Sequence, residues 1–88
     1  MVKCLLLKNN SIIITVIEEV YTELGEPDCK LINPYLVKVL ESEESDQILE
    51  SWLSNFTKQN EFMIHSDKIL TIFEPKPTLL EKYLELTA

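Results

Sequence analysis

The sequence predicts a small, mainly β domain that ends in one short helix. Short runs of β-branched and other apolar residues recur along the chain, separated by stretches rich in Asn, Ser, Pro and acidic residues. An opening pair of such runs and a late strand–turn–strand indicate a small, strongly bent sheet or barrel. The hydrophobic fraction of 45% in 88 residues is typical of one folded domain with a limited core, so residues 1–88 are expected to form a single domain.

The first two apolar runs, residues 2–8 and 12–21, flank the triplet Asn9-Asn10-Ser11. Asparagine tolerates the positive φ angles of tight turns, so this segment predicts a β-hairpin. In the second run, apolar side chains occupy both alternating faces. That pattern indicates a strand that is buried on both sides or that faces a subunit partner.

The middle of the chain predicts a loop followed by a third strand. Residues 22–28, TELGEPD, hold the only glycine, a proline and three acids, and are typical of a loop. The next run, residues 29–41, is predicted to be a strand. Because proline removes a backbone donor, Asn33-Pro34 is expected at a bulge, a bend or the strand start. The acidic stretch ESEESD, residues 41–46, is expected to be a solvated loop.

Residues 45–56, SDQILESWLSNF, are compatible with two structures. Their apolar side chains fall at helical spacing, and Ser45 or Asp46 could cap the start of a helix. Alternation of Leu49 and Leu53 with Glu50 and Trp52 also permits a strand. The pattern alone favours the helix, whereas residues 57–60 are polar and typical of a turn.

The last third of the chain predicts a strand, a tight turn at residues 65–67 and a second strand, KILTIFE, ended by two prolines. Thr78 and Glu81 then have the spacing of a capping box, which predicts a helix from Thr78 to Leu86. Its apolar stripe is expected to dock on the sheet. The stripe consists of Leu79, Leu80, Tyr83 and Leu84.

The formal charge of −7 and the absence of arginine count against generic affinity for nucleic acid. The simplest interpretation of the acidic residues is a solvated surface that aids solubility. The longest uninterrupted apolar runs, such as Leu5–Leu7 and Ile12–Ile14, are far too short for a membrane span, and the N-terminus lacks the shape of a signal peptide. A cytoplasmic protein without membrane association is therefore expected.

Metal and enzyme chemistry are not expected. Cys4 and Cys29 have no C-x-x-C spacing and are predicted to be reduced core residues, so no metal site or cofactor is predicted. His65 and Ser66 are adjacent, and neighbours on an extended chain point apart, so they do not form a catalytic pair. The sequence predicts that the protein is not an enzyme.

Two segments resemble the motifs of the Sm-like (LSm) family. Residues 7–13, LKNNSII, resemble the first motif, with Asn10 in place of its glycine. Residues 62–70, FMIHSDKIL, are similar to the second motif, with His65 at its basic position and Ser66 at its glycine. The whole chain is most similar to the short Sm-like proteins of marine cyanophage type.

The resemblance implies a mainly β, five-stranded, strongly bent small barrel with a short C-terminal helix, in which residues 48–56 belong to a long fourth strand. It also implies a homo-oligomeric ring of about five to seven subunits, closed by pairing of strand edges. If the protein is phage-encoded, its location is the cytoplasm of the host cell.

In the family, loops that carry both motifs hold single-stranded RNA in the pore, so the resemblance implies RNA binding, with DNA as a less favoured ligand. The residues implied are His65, Ser66, Lys68 and Lys8, with Asn33 as the candidate for reading the base edge. The alternative is a ring that binds another protein and no nucleic acid, which the negative charge favours. Lysines and His65 lining the pore would favour RNA, whereas acids there would favour the protein partner.

Overall fold

A computed structural model describes residues 1–39 and 47–88. In the described part of the chain, six strands are followed by one helix. The strands are β1 (Val2–Leu7), β2 (Ile12–Glu19), β3 (Cys29–Val39), β4 (Gln47–Ser51), β5 (Glu61–Ile64) and β6 (Ile69–Phe73), and the helix is α1 (Pro77–Thr87). A short 3-10 turn, Ser66–Lys68, joins β5 to β6. The prediction of a mainly β chain with a C-terminal helix is confirmed.

The strands form one antiparallel sheet in the order β4-β3-β2-β1-β6, and β5 pairs with β3. Ile64 of β5 and Ile69 of β6 pack against the same buried cluster, although these strands lie at opposite ends of the sheet. The sheet therefore curls around this cluster. Among the described residues, β6 is not hydrogen-bonded to β4 or β5, so the expected barrel is not closed.

The opening hairpin is confirmed. Asn10 adopts a φ of 68°, the left-handed conformation that asparagine tolerates better than most residues. The backbone N–H of Leu7 donates to the carbonyl of Ser11 at 2.9 Å, and that of Asn10 donates to the carbonyl of Leu7 at 2.9 Å. This turn fixes the register in which Leu6 faces Ile12.

Strand β2 is buried on both faces, which confirms the first of the two predicted explanations for its apolar pattern. Ile13 and Ile14 are both fully buried but belong to different clusters. Ile14 packs with Cys4 and with Leu79 and Tyr83 of α1. The helix thus covers one face of the sheet, and the cluster on the other face fills the curl. That cluster consists of Leu5, Leu7, Ile13 and Leu31.

A bulge in β3 divides its outer edge between two partners. Ile14 pairs with Tyr35 and Val16 pairs with Ile32, so two residues, Asn33 and Pro34, stand opposite one. Before the bulge β3 pairs with β5, and after it with β4. The prediction of a bulge or bend at Asn33-Pro34 is confirmed. Because of this division, the described chain has six strands rather than the five expected.

The prediction that residues 48–56 form one strand is correct only as far as Ser51. Trp52 donates its backbone N–H to the carbonyl of Pro34 at 3.0 Å, and the chain leaves the sheet there in a turn. Leu53 has a φ of 61°, which a continuing strand could not accommodate. The helical alternative is also wrong, since residues 47–51 are a strand. The acidic stretch 41–46, including the predicted cap, lies outside the described residues.

Helix α1 begins one residue earlier than the capping box predicted. Lys76 is the N-cap, no side chain caps the helix, and Pro77 occupies the first helical position. Proline is favoured there because its φ is already helical and its missing N–H costs nothing. Thr78 therefore lies inside the first turn. Of the predicted stripe, Leu79 and Tyr83 are buried, whereas Leu84 is exposed.

Both cysteines are buried and free, as predicted. Burial raises the pKa of the Cys4 thiol, and burial followed by the charge of Asp28 raises the pKa of the Cys29 thiol. Both thiols are therefore held in the unreactive, protonated form. Within residues 1–39 and 47–88, no helix has the length and apolar character needed to cross a bilayer.

Candidate nucleic-acid interface

The β1–β2 turn and the β5–β6 turn meet at one end of the sheet. The backbone N–H of Lys8 donates to the carbonyl of Lys68 at 2.9 Å, and the N–H of Lys68 donates to the carbonyl of His65 at 3.1 Å. Both lysines are exposed. Four of the five predicted site residues, Lys8, His65, Ser66 and Lys68, are thus brought together by backbone contacts and chain proximity.

Ser66 is bound by an acid from the loop between β2 and β3. Its backbone N–H donates to Oδ1 of Asp28 at 2.7 Å, and its hydroxyl donates to Oδ2 of Asp28 at 2.7 Å. These hydrogen bonds, led by that of the side chain, hold the pKa of the Asp28 carboxyl below its ordinary value. Ser66 therefore uses both donors on Asp28, which ties loop 22–28 to the β5–β6 turn.

The surroundings of His65 are acidic. It lines a shallow pocket of about 250 Å³ together with the acids Glu26, Asp28 and Asp67. Nearby carboxylates repel phosphate, so this side of the turn disfavours a nucleic-acid backbone. The cationic side is confined to Lys8 and Lys68. The site is thus divided between two lysines and a group of acids.

Asn33 lies apart from the other four predicted site residues. Its backbone N–H donates to the carbonyl of Asn60 at 2.7 Å, just before β5 begins, whereas His65 follows the end of β5. The positions of Asn60 and His65 are separated by roughly 17 Å at the usual rise per strand residue. The structure therefore does not bring Asn33 to the lysine pair.

Asp28 is the site residue that sequence reasoning missed. It stands in a loop assigned from its glycine, proline and acids, 38 positions from Ser66. Only the fold brings the two residues together. In the sequence, Asp28 is only an acidic residue immediately before a strand, and that position does not indicate which residue its carboxylate will bind.

Apolar side chains are exposed at both ends of the sheet. On β6, Leu70, Ile72 and Phe73 are exposed by 56%, 51% and 40%, and a groove of about 490 Å³ runs beside the first two. At the opposite end, Ile48 of β4 and Met63 of β5 are exposed by 46% and 44%. Open strand edges with apolar side chains are templates for pairing with another chain.

The pairing of Asp28 with Ser66 should make stability fall at acid pH. Because the pKa of Asp28 is lowered in the folded state, its contribution is present above the ordinary aspartate pKa of about 3.9 and is lost as pH falls through the lowered value. Urea midpoints of the wild type and Asp28→Asn should therefore differ most near neutral pH and converge as the pH falls below about 3.9.

Ser66→Ala provides the matched comparison, because it removes the hydroxyl and retains the backbone N–H bond to Asp28. Its acid sensitivity should lie between those of the wild type and Asp28→Asn. A constant difference between wild type and Asp28→Asn across the acid range would contradict the assignment of the lowered pKa to Asp28.

Comparison with known families places the chain in a family without an assigned activity. The model of the family of unknown function (DUF6561) matches residues 1–88, so the chain belongs to that family. A comparison with curated proteins finds no match.

Proposed function

We propose that this member of the DUF6561 family is an Sm-like, ring-forming protein that binds single-stranded nucleic acid, RNA in preference to DNA. The single observation that carries the proposal is the pair of open, apolar strand edges at opposite ends of one curled sheet. The curl supports the Sm-like part, because side chains from five strands gather around its buried cluster.

Assembly follows from joining the two edges. The edge of β6 in one copy pairs with the β4–β5 edge of the next, which satisfies backbone groups and covers Leu70, Ile72 and Met63. The two surfaces differ, so the contact is head-to-tail, and its repetition forms a ring when the rotation between copies closes on itself. The partner of the described chain is thus a second copy of itself.

The contact between Lys8 and Lys68 supports nucleic-acid binding by the ring. Each copy contributes two exposed lysines held by a backbone hydrogen bond. Symmetry repeats this pair around the ring, so that weak phosphate contacts add through multivalency. His65 lies in the same turn as Lys68 and offers an aromatic ring for stacking on a base.

The experiment is light scattering with and without short oligo-uridine and oligo-adenine strands, joined to binding titrations at several salt concentrations. The expected result is a ring-sized particle that takes up oligo-uridine. Lys8→Ala/Lys68→Ala should weaken that binding. It should also flatten the slope of log affinity against log salt concentration by about 0.7 for every phosphate that is no longer neutralised.

The matched control is Lys76→Ala/Lys82→Ala, which removes the same charge from α1 and its N-cap. It should leave both affinity and salt dependence near those of the wild type. Equal losses in the two double variants would assign the effect to overall charge rather than to the paired turns.

A second candidate is a ring that binds a protein partner and no nucleic acid. The observation that favours it is the acidic pocket around His65, together with the use of both Ser66 donors by Asp28. It also agrees with the formal charge of −7. A ring-sized particle that takes up neither strand would support this second function.

A further inference from the structure

A second pocket lies between β4 and β5, at the end of β5 away from His65. Its volume is about 420 Å³, within the range of about 300–1,000 Å³ that is usual for small-molecule sites. Aromatic walls come from Trp52 and Phe62, whose rings pack edge-on with centroids 5.4 Å apart, and Tyr35 also lines the pocket. None of its lining residues is shared with the His65 pocket.

The polar lining consists of three amide residues, three hydroxyl residues (Ser51, Ser54 and Thr57) and one cation. Asn33, Gln59 and Asn60 line the pocket together with Lys58, and no carboxylate is among its described lining residues. The Gln59 side-chain amide donates to the carbonyl of Glu61, whereas no side-chain hydrogen bond of Asn33 or Asn60 is found among the described residues. In a chain with 15 Asp and Glu residues, this sets the pocket apart from the acidic surroundings of His65. Amides carry both donors and acceptors, as the edge of a nucleobase does, and an ammonium group attracts phosphate.

The backbone beside the pocket is strained at Leu53. Its φ of 61° lies in the left-handed region that is unfavourable for leucine, whereas the φ of 52° at Asn33 is one that asparagine tolerates. Two hydrogen bonds fix the loop to β3: Trp52 N–H donates to the carbonyl of Pro34, and Asn33 N–H donates to that of Asn60. Backbone strain that is held in place by surrounding hydrogen bonds is found most often at functional sites. A pocket whose backbone is already fixed also loses less conformational entropy when a ligand binds.

From these observations we infer that this pocket binds a nucleobase with its phosphate, either as a free nucleotide or as one unit of a single strand. The base stacks against Trp52, its hydrogen-bonding edge faces the Asn33 and Asn60 amides, and its phosphate lies near Lys58. The combination of a cation with an acid-free lining favours an anionic ligand over a neutral sugar. The inference does not depend on ring assembly, because one chain supplies the whole pocket.

Trp52 is the only tryptophan; it lines this pocket and a neighbouring one of about 200 Å³, and Lys58 lines only the first of the two, so a fluorescence change that depends on Lys58 reports on this pocket. The protein is titrated with UMP, AMP, uridine, oligo-uridine and oligo-adenine, with excitation at the red edge of the indole band. A saturable change is expected with the mononucleotides, and uridine should bind more weakly than UMP. Lys58→Glu should weaken UMP binding about tenfold or more, as expected when a charge-assisted hydrogen bond is removed.

Lys76→Glu is the matched control, since it makes the same charge change at an exposed residue that does not line the pocket. It should bind UMP within about twofold of wild type. Thermal unfolding of both variants establishes that each is folded. An equal loss of UMP binding in Lys58→Glu and Lys76→Glu, or the absence of a saturable change with every nucleotide, would overturn the inference.

The titrations also separate the two sources of ligand and the two proposals. Tighter binding of an oligonucleotide than of UMP or AMP would support a unit of a strand, whereas equal binding would support a free nucleotide. Lys8→Ala/Lys68→Ala should leave the UMP response unchanged, because neither lysine lines this pocket. Failure of ring assembly or of binding at the lysine pair would therefore leave this signal intact.

Discussion

Tyr83→Ala is expected to lower the free energy of unfolding by about 3–5 kcal/mol, the usual cost of truncating a buried aromatic side chain. Tyr83 is 1% exposed and joins α1 to the sheet. Its ring packs with Cys4 and Ile14 and meets that of Tyr35 edge-on, at 5.8 Å between centroids. For a small domain with a total stability of about 5–15 kcal/mol, this loss removes a large part of the margin.

Tyr83→Phe separates packing from hydrogen bonding. The hydroxyl donates to the carbonyl of Asn33 at 3.0 Å, with the carbonyl of Ile32 at 3.3 Å, so its removal should cost about 1 kcal/mol while the ring remains. Both variants are measured by urea denaturation at one protein concentration, because self-association adds to apparent stability. If alanine were tolerated as well as phenylalanine, α1 would not depend on this ring for its docking.

Ile72→Lys is expected to convert a ring-sized particle into a monomer. The Ile72 side chain is 51% exposed on β6, so the change should not unfold the subunit. In the proposed ring, the same side chain is covered by the β4–β5 edge of the next copy, where an unpaired lysine would be desolvated at high cost. Mass by light scattering over a range of concentrations gives the result.

Leu24→Lys is the control for that variant. It also replaces an exposed branched side chain by lysine, but in the loop between β2 and β3 rather than on a strand edge. It should keep the mass of the wild type. If Ile72→Lys kept that mass as well, β6 would not be part of the interface and the edge-pairing proposal would fail.

The parts of the fold that sequence predicts correctly are those fixed by local chemistry. Asn10 predicts the hairpin because a tight turn requires a positive φ that asparagine adopts easily, and its φ is 68°. Pro34 predicts the bulge because it lacks a backbone donor. The C-terminal helix is predicted by its apolar stripe. It begins at Pro77, one residue before the start that Thr78 indicated.

Residues 47–56 show what local pattern cannot determine. Helical spacing would place Phe56 on the same buried stripe as Leu49, yet Phe56 is 85% exposed. The conformation is decided by β3, where Val37 pairs with Leu49. Strand pairing between distant segments overrides local periodicity, because the gain from the ladder exceeds the small differences in propensity.

The sequence nominates residues for the candidate site but does not predict their arrangement. The sequence singled out His65, Ser66, Lys8 and Lys68, and the two turns that carry them do meet. It gave no sign that Asp28 would take both Ser66 donors, or that Asn33 would lie at the other end of β5. Charges and hydrogen bonds between distant segments depend on the way the sheet curls, which is not encoded in any one segment.

The pairing of β6 with β1 has a consequence for the order in which the protein folds. Leu5 pairs with Ile72 and Leu6 with Thr71, so β1, which is made before the other described strands, has one edge uncovered until β6, the last of them, is made. Contacts between such distant parts of the chain form slowly. During synthesis, β1 and its three leucines are therefore the segment most exposed to wrong association, and completion of β6 ends that exposure.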